Sequence, residues 1–345
     1  MKRFFLIFAL ALSIASIWVL KLQISIVLPV ILSVVFFLLF LWLRHIRPLI
    51  FFKGILCFWA LLCASLVFVS CFKAATYDRV VNSLNGKSAT VSGIVYEEPE
   101  LHDTYTVCYV KCDQLGGKPI TDTFKFRMTC SNFAKIEAFD RITANVKFRE
   151  LSKYTAGSDY ADGVYIGTYT DDLIVSAGEY NSPYYSAIKL RRTIRERFKG
   201  DSEHPNRAVA TALLTGDKSG FSESFSSAVK TCGMSHIFAV SGLHISIVCM
   251  TVVTFLRKLR LGRKPTALIG IAIVVFMAAV AGFSGSILRA GLMYFLLFLG
   301  DLFSRRPDTL NSLSFAAVVL MLFNPYNLFG LSFELSAAGT LGIVL

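Results

Sequence analysis

Charged side chains are scarce in this sequence, making up 17% of its 345 residues, against roughly a quarter in average soluble domains. The hydrophobic residues, 54% of the total, are gathered in long runs. A membrane-spanning helix needs about 20 mainly apolar residues. Eight runs approach that length: 4–20, 22–43, 50–72, 237–256, 265–284, 287–303, 310–323 and 329–345. The pattern argues against an ordinary soluble enzyme and predicts a polytopic α-helical membrane protein.

Motifs for several kinds of catalytic or metal site are missing as well. The eight cysteines form no Cys-x-x-Cys pair, and His236, His244 and Asp217 lack a further His or Cys ligand, so no metal or other cofactor is predicted. The Gly-x-Ser-x-Gly elbow of serine hydrolases is incomplete, because Ala239 stands where its first glycine belongs, two residues before Ser241. An intramembrane serine hydrolase, with Ser241 as nucleophile and a histidine as base, is kept as an alternative function.

Three cysteines lie between the two groups of apolar runs: Cys108, Cys112 and Cys130. An odd number permits at most one disulfide among them, and spacing cannot select the pair. Cys108 and Cys112 share one face of a predicted strand, which is a poor geometry for bridging each other. A bond from Cys130 to one of them and three free thiols are both left open.

The formal net charge of +12 is carried next to the apolar runs. Residues 73–185 hold 12 Lys and Arg against 15 Asp and Glu, whereas basic residues cluster at 2–3, 44–53, 257–264 and 305–306. Such clusters lie on the cytoplasmic side of a membrane. With three spans in residues 1–72 and the N-terminus in the cytoplasm, each of these clusters lies on the cytoplasmic side of the plasma membrane, and residues 73–235 lie mostly on the outer side. A cleaved signal peptide is the alternative for the first run, but a second apolar run follows it too closely.

Residues 73–182 are predicted to form the extracytoplasmic domain, because apolar and polar residues alternate there. Strand-like stretches with turn signals between them lie at 89–96, 104–112, 123–129, 141–148 and 163–175. Gly93 suggests a bulge, and Gly116 and Gly117 suggest a turn. Five short strands predict a small OB-like β-barrel, a fold that binds oligonucleotides in some proteins. The acidic balance of this domain leaves its contact with DNA open.

Residues 183–235 are predicted to hold amphipathic, interfacial helices. In 183–199 apolar residues are interleaved with cations that include Lys189, Arg191, Arg192 and Arg195. A basic amphipathic helix of this kind lies along a membrane surface. Its cations suit anionic lipid heads or a nucleic-acid phosphate backbone, and lipid heads are the favoured partner.

Four polar residues stand at the entry to the apolar run that follows: Asp217, His236, Ser241 and His244. Polar and ionisable groups in membrane segments are costly and mark function. Ser241 and His244 are three residues apart, which places them on one helical face. These four residues are predicted to line an internal cavity or channel.

Arg289 lies near the start of a later apolar run, after the Ser284–Gly285–Ser286 segment. Its planar guanidinium suits a phosphate through paired hydrogen bonds, so a place on a DNA path is one interpretation. The alternatives are an anchor that reaches the membrane surface and a structural ion pair with Glu334.

The polar stretches also resemble a known family. The signature of the competence domain of ComEC proteins is similar to one stretch of this sequence, which comprises Leu214, Gly216 and Asp217, then Gly233, then 236–244 (HIFAVSGLH). Residues 282–290 (GFSGSILRA) resemble an intramembrane Arg-Ala motif of that family, and 324–325 and 333–338 resemble its later helix pattern, with Glu334 where glutamine is expected. Residues 89–95 and 158–166 are similar to its N-terminal OB-like domain, so the resemblance spans about 5–345.

The resemblance implies an inner-membrane channel for uptake of single-stranded DNA during natural transformation, with an outer DNA receptor and a cytoplasmic ATPase as partners. The candidates for the DNA path or the channel lining are then Asp217, His236, Ser241, His244 and Arg289. Membrane lipids are further expected partners, and a homo-oligomer is left open. Residues 236–345 are expected to be competence-type transmembrane helices, truncated at the C-terminus, and no nuclease domain is expected. A passive membrane scaffold is the second alternative.

Overall fold

The computed structural model of the chain describes residues 4–22, 31, 34–35, 38, 50–97, 99–101, 104–131, 136–152, 156–178, 183–198, 205–215, 220–234, 242–280, 285–303 and 308–344. The chain divides into two compact units. The first comprises Met1–Tyr180 and Val318–Glu334, and the second comprises Asn181–Ala317 and Leu335–Leu345.

Two apolar helices begin the first unit. Helix α1 is Phe4–Ser16, continued by a π-helical segment, Ile17–Lys21; α2 is Ile50–Lys73, continued by a π-helical segment, Ala74–Asp78, and by α3, Arg79–Leu84. Helix α1 packs along α2, and its residues Ala11, Leu12 and Ala15 are fully buried. Most of the predicted span 22–43 lies outside the described residues.

The sheet domain follows α3. Its strands are β1 Ser88–Val95, β2 Glu100–Leu101, β3 Tyr105–Leu115, β4 Lys118–Ser131, β5 Arg141–Lys147, β6 Val164–Tyr169 and β7 Leu173–Ser176, with helix α4, Ala156–Ala161, between β5 and β6. The sheet order is β6-β4-β3-β1-β5-β7, and β2 pairs with β3. The pairing of β4 with β6 is parallel, and the other pairings are antiparallel. Four of the five predicted strands overlap β1, β3, β4 and β5, with bounds that differ by up to five residues, and β2 was not predicted.

The fifth predicted strand, 163–175, was wrong as a single element. It is interrupted after Tyr169, where the Thr170 hydroxyl accepts a hydrogen bond from the backbone N–H of Asp172 at 3.3 Å. A side chain that bonds the backbone two residues on favours a turn over continued pairing. The chain therefore enters two strands, β6 and β7, at opposite edges of the sheet order.

The predicted OB-like barrel is not confirmed, because the described strands do not form a closed sheet. In the described residues the backbone pairing that approaches closure is one antiparallel bridge between Arg149, two residues beyond β5, and Gly167 of β6, which exchange hydrogen bonds of 2.8 and 2.9 Å. The predicted bulge at Gly93 is confirmed, because the β1–β3 register shifts between Ser92 and Gly93. A Cβ at Gly93 would lie 2.5 Å from the Lys111 carbonyl oxygen, so only glycine fits this bulge.

Aromatic and sulfur-bearing side chains fill the core of the sheet domain. Phe126 and Phe148 are fully buried and meet edge to face, with their centroids 5.7 Å apart. The three cysteines of the domain are buried free thiols in the same core: Cys108, Cys112 and Cys130. Burial raises the pKa of Cys112 to about 11, so this thiol is neutral at physiological pH.

The remaining helices are α5 Pro183–Phe198, α6 Pro205–Thr215, α7 Glu223–Thr231, α8 Gly242–Lys258, α9 Arg263–Val280, α10 Gly285–Leu302, α11 Thr309–Phe323 and α12 Leu331–Val344, with a 3-10 turn, Pro325–Phe329, before α12. Helices α8, α9 and α10 pack on one another, and α5 packs on α6 and α9. The predicted runs from 265 onward coincide with helices to within a few residues, and the run 237–256 is helical from Gly242 in its described part.

Within the described residues, three helical segments are long and apolar enough to cross a membrane: Phe4–Lys21, Cys57–Leu84 and Arg263–Val280. Thr309–Phe323 is apolar but shorter. Segments of about 20 apolar residues match the thickness of a bilayer core. These helices agree with the prediction of a membrane protein, and its sidedness stays a prediction.

Candidate functional site

Helices α8, α9 and α10 surround one apolar cluster. Its buried members include Ile245 of α8, Val274 of α9, and Ile287 and Phe298 of α10. Two glycines let α9 and α10 approach closely. A Cβ at Gly270 would overlap the Phe298 ring, and a Cβ at Gly291 would lie 3.2 Å from Cγ1 of Val274. Small residues at the contact allow close helix packing in a membrane, where lipid offers no hydrophobic drive for association.

Arg289 of α10 is buried, with 6% of its surface exposed. A helix turns about 100° per residue, so Arg289 lies about 160° around the helix axis from both Ile287 and Gly291. These two residues face α9 and the apolar cluster. The buried guanidinium therefore belongs to the opposite face of α10.

That opposite face continues along the helix. Leu296, two turns after Arg289, is half-buried, and at about 100° per residue it lies within about 20° of Arg289 around the axis. Leu288 and Leu297 lie between the two faces and are 38% and 39% exposed. Helix α10 thus has one buried apolar face and an opposite, half-buried side on which Arg289 itself is buried, with exposed positions between the two.

A buried guanidinium favours a particular kind of surface. Charges inside membrane bundles face the bundle interior or a water-filled cavity, since lipid cannot solvate them. The guanidinium offers five N–H donors in a planar fork and no acceptor, which suits the oxygens of a phosphate or carboxylate. Glu334 is exposed in the first turn of α12, and its pairing with Arg289 stays a prediction.

The other predicted path residues are only partly described. Asp217, His236 and Ser241 lie outside the described residues, and His244 is the third residue of α8, with its backbone alone described. Their convergence with Arg289, and the roles of Ser241 and the histidines in a hydrolase, therefore stay predictions. Across the described ranges, no three His, Cys, Asp or Glu side chains are placed to hold a metal ion.

Helix α5 carries the predicted phosphate- or lipid-binding cations. Its Ile188 is buried, which fits the packing of α5 on α6 and α9. Lys189 and Arg192 are exposed and Arg191 is half-buried, while the side chain of Arg195 is not described. Arg192 Nε donates to Glu196 Oε1 at 2.8 Å along the exposed side. The helix is amphipathic as predicted, with several of its cations on the surface.

A buried charge in the sheet domain was not predicted from the sequence. Asp159 of α4 is 3% exposed, and its carboxylate accepts from Arg127 of β4 at 3.3 Å and from the Tyr109 hydroxyl of β3 at 3.1 Å. The three residues are 32 and 50 positions apart along the chain. Local periodicity carries no signal for such a network, which attaches α4 to the sheet.

Comparison with known proteins gives one family. Residues 213–345 match the family model described as Competence protein. ComE operon protein 3 of Bacillus subtilis (strain 168) is 26% identical over 177 residues, which are 51% of this chain and 23% of that relative. The chain thus matches about a quarter of the length of this relative. No solved structure matches the chain.

Proposed function

Because the chain belongs to the ComEC family of competence proteins, we propose that it forms part of an inner-membrane channel that carries single-stranded DNA into the cell during natural transformation. The observation that carries this proposal is the burial of Arg289 on the face of α10 opposite the apolar cluster. A buried cation with a planar fork of donors provides a binding point for the phosphates of a passing strand. It lies within the part of the chain that matches the family model.

In this proposal the sheet domain lies outside the plasma membrane, and the loop between α8 and α9 lies inside. The basic residues of that loop, 257–264, support this orientation. The parallel pairing of β4 with β6 and the single bridge between β5 and β6 support a partly open OB-like barrel. The mildly acidic balance of the domain favours a role at the entrance over a role in gripping phosphates.

The exposed cations of α5 bind anionic lipid heads in this proposal and hold the helix at the membrane surface. Phosphates of the incoming strand are the second ligand of the same chemistry. An outer DNA receptor delivers the strand and a cytoplasmic ATPase draws it in, with the chain acting alone or as a homo-oligomer. These partners are proposed from the family alone.

The proposal is tested by replacing Arg289 and counting transformants in a naturally transformable host that lacks its own copy of the protein. Arg289→Ala removes a charged donor group worth at least about tenfold in a binding equilibrium, so we expect transformation to fall at least that far. Arg289→Lys keeps the charge but loses the fork, and its effect should be intermediate.

The matched control is Arg257→Ala in the same bundle. Arg257 is exposed and forms a 3.7 Å ion pair with Asp301, and exposed pairs contribute little. Protein levels are compared by immunoblot in every strain. Normal transformation by Arg289→Ala at normal protein level would contradict the proposed role of the arginine.

A second experiment distinguishes a channel from a passive scaffold. A photo-crosslinking amino acid is placed at Leu296, on the face of Arg289, and at its neighbour Leu297, on an exposed side of α10. A strand that passes along the Arg289 face should crosslink at 296 and not at 297. A scaffold predicts no DNA crosslink at either position.

A further inference from the structure

The end of helix α11 is attached to the sheet domain within the first unit. After Phe323 the chain forms the 3-10 turn Pro325–Phe329, and helix α4 of the sheet domain packs on this turn. A Cβ at Gly157 of α4 would lie 2.9 Å from the carbonyl oxygen of Phe329. The two backbones therefore approach as closely as a missing side chain allows.

Asn324 makes the polar part of this junction. Its side chain is buried, and Nδ2 donates to the carbonyl oxygens of Tyr160 at 2.7 Å and Ala161 at 2.9 Å. Those carbonyls end helix α4, where a helix leaves its last C=O groups without intrahelical partners. Oδ1 accepts from the backbone N–H of Tyr326 at 3.1 Å. Both amide hydrogens and the amide oxygen are thus engaged in joining the two segments.

Four tyrosines form the apolar part of the junction. Tyr77 follows α2, Tyr160 belongs to α4, Tyr165 to β6, and Tyr326 to the 3-10 turn. Tyr160 lies 5.4 Å from both Tyr77 and Tyr326, and Tyr165 lies 5.6 Å from Tyr326, measured between ring centroids. Edge-to-face and tilted contacts at these distances are favourable. The cluster therefore packs segments that are far apart in sequence around one point.

We infer that Asn324 is a positioning residue, which holds the sheet domain and the C-terminal end of α11, residues 318–323 of the same unit, as one rigid body while the protein works. Its amide is fully used by protein groups, so it is not a contact for DNA or lipid. Its buried bonds reach residues 163 and 164 positions earlier in the chain. A loosely tethered sheet domain would not keep the Asn324 side chain buried with all of its hydrogen bonds made.

The opening of the junction is measured with a buried thiol in the full-length protein. Gly330 is buried and has φ −72° and ψ 121°, so Gly330→Cys is compatible with the backbone. A maleimide reacts with this thiol in proportion to the population of the open junction. Asn324→Ala removes the two hydrogen bonds that cross the junction, so the labelling rate should rise by about tenfold or more.

The matched control is Asn327→Ala. The Asn327 amide donates to the carbonyl of Leu320 at 2.9 Å, a bond of similar length that joins α11 to its own turn and does not reach the sheet domain. It should leave the labelling rate of Gly330→Cys unchanged. Equal rates in the Asn324→Ala and parent proteins would overturn the positioning role.

Rigidity during transport is tested by locking the junction. The double variant Ala161→Cys/Gly330→Cys places two thiols at the junction. A Cβ at position 330 would lie 3.4 Å from the Cβ of residue 161, close to the ~3.5–4.5 Å between the Cβ atoms of a disulfide. Diamide accepts the two protons and two electrons that the thiols lose as the disulfide forms. Peptide mass mapping then identifies the 161–330 bond among the native cysteines.

The disulfide-locked protein and the reduced protein should support equal DNA uptake. In Asn324→Ala the disulfide should restore the uptake that is lost when the junction opens. Loss of uptake on locking, regained with dithiothreitol, would show that the junction opens during transport and would overturn the inference. The uptake measurement rests on the proposed function, but the labelling rates do not. If the parent protein takes up no DNA, the proposed function fails while the labelling comparison still decides the role of Asn324.

Discussion

The sheet domain and the α8–α10 bundle are packed by different means. In the sheet domain large side chains meet: the Phe126 and Phe148 rings fill the core, and the buried Asp159 carboxylate is bonded by two neighbouring strands. In the bundle a large side chain of one helix packs against a glycine of the other, Phe298 against Gly270 and Val274 against Gly291.

The difference follows from the solvent that each region excludes. Apolar burial drives a domain together in water, whereas helices in lipid gain mainly from close van der Waals contact. A buried charge also has a different meaning in each. Asp159 is held by Arg127 and Tyr109 as a structural clamp, whereas Arg289 lies on the face of α10 turned away from the apolar cluster. We therefore expect structural effects from the first and effects on transport from the second.

The largest effect on stability should come from Arg127→Met. It would leave the Asp159 carboxylate buried without its cation, and breaking a buried pair in this way costs about 3 kcal/mol or more. Hydrogen exchange of the β3 and β4 amides in the detergent-solubilised protein measures the loss.

Arg79→Met is the control for this change. Arg79 forms a 2.6 Å ion pair with Asp122 of β4, but the side chains are 51% and 66% exposed. Solvent screening limits such pairs to about 1 kcal/mol or less. Equal losses in the two variants would show that Asp159 is not the clamp that we describe.

Gly270→Ala should have the next largest effect. The added methyl would overlap the buried Phe298 ring and force α9 and α10 apart, at a cost of about 1–3 kcal/mol for an overpacked contact. Heat-induced loss of monodisperse protein in detergent reports the change. Gly339→Ala in α12 is the control, since a Cβ there meets nothing within 4 Å. If Gly270→Ala is as stable as the parent protein, close contact at Gly270 does not stabilise the bundle, and the contrast with the sheet domain is wrong.

Local sequence patterns predicted some parts of this fold and missed others. Apolar runs and alternating strands predicted most of the described helices and strands, and Gly93 predicted its bulge, because each depends on neighbouring residues. Helix α4 and the junction at Asn324 were not predicted. Their stability comes from hydrogen bonds to distant residues, as far as 164 positions away, and no local pattern encodes such contacts.

The candidate site shows the same division. The cost of a charge in an apolar run singled out Arg289, and its burial agrees with that reasoning. Which face of α10 it occupies could be known only once Ile287 and Gly291 were seen against α9. Asp217, His236 and Ser241 lie outside the described residues, so their approach to Arg289 stays a prediction.

A smaller effect is expected from the ionisation of the junction tyrosines. Burial raises the pKa of Tyr160 and of Tyr165 above the usual value, so the folded state keeps protons that the unfolded chain releases from about pH 10 upward. Their stabilising contribution is therefore complete below that pH and is lost as pH rises through the folded-state pKa values. Thermal unfolding followed between about pH 8 and pH 11 should show this decline.

Tyr160→Phe should make the alkaline decline shallower, because the phenyl ring keeps the packing and has no proton to lose. Tyr105→Phe, at a ring that is 38% exposed at the edge of the sheet domain, is the control and should leave the slope as it is. An identical slope in all three proteins would mean that the junction does not contribute to the stability of the sheet domain.

The variants Cys232→Ser and Leu259→Cys should have the smallest effect on function, and they test the orientation of the chain in the membrane by thiol labelling. Cys232 is exposed and lies in the segment that we place outside the membrane. In a Cys71→Ser background, which removes the other exposed thiol, a membrane-impermeant maleimide should label the protein in intact cells, and Cys232→Ser should abolish the labelling. Leu259 is 57% exposed between α8 and α9, and Leu259→Cys in the Cys71→Ser/Cys232→Ser background should react only after the cells are opened. Labelling of position 259 in intact cells would reverse the orientation of the bundle and place its basic loop on the side that the charge distribution disfavours.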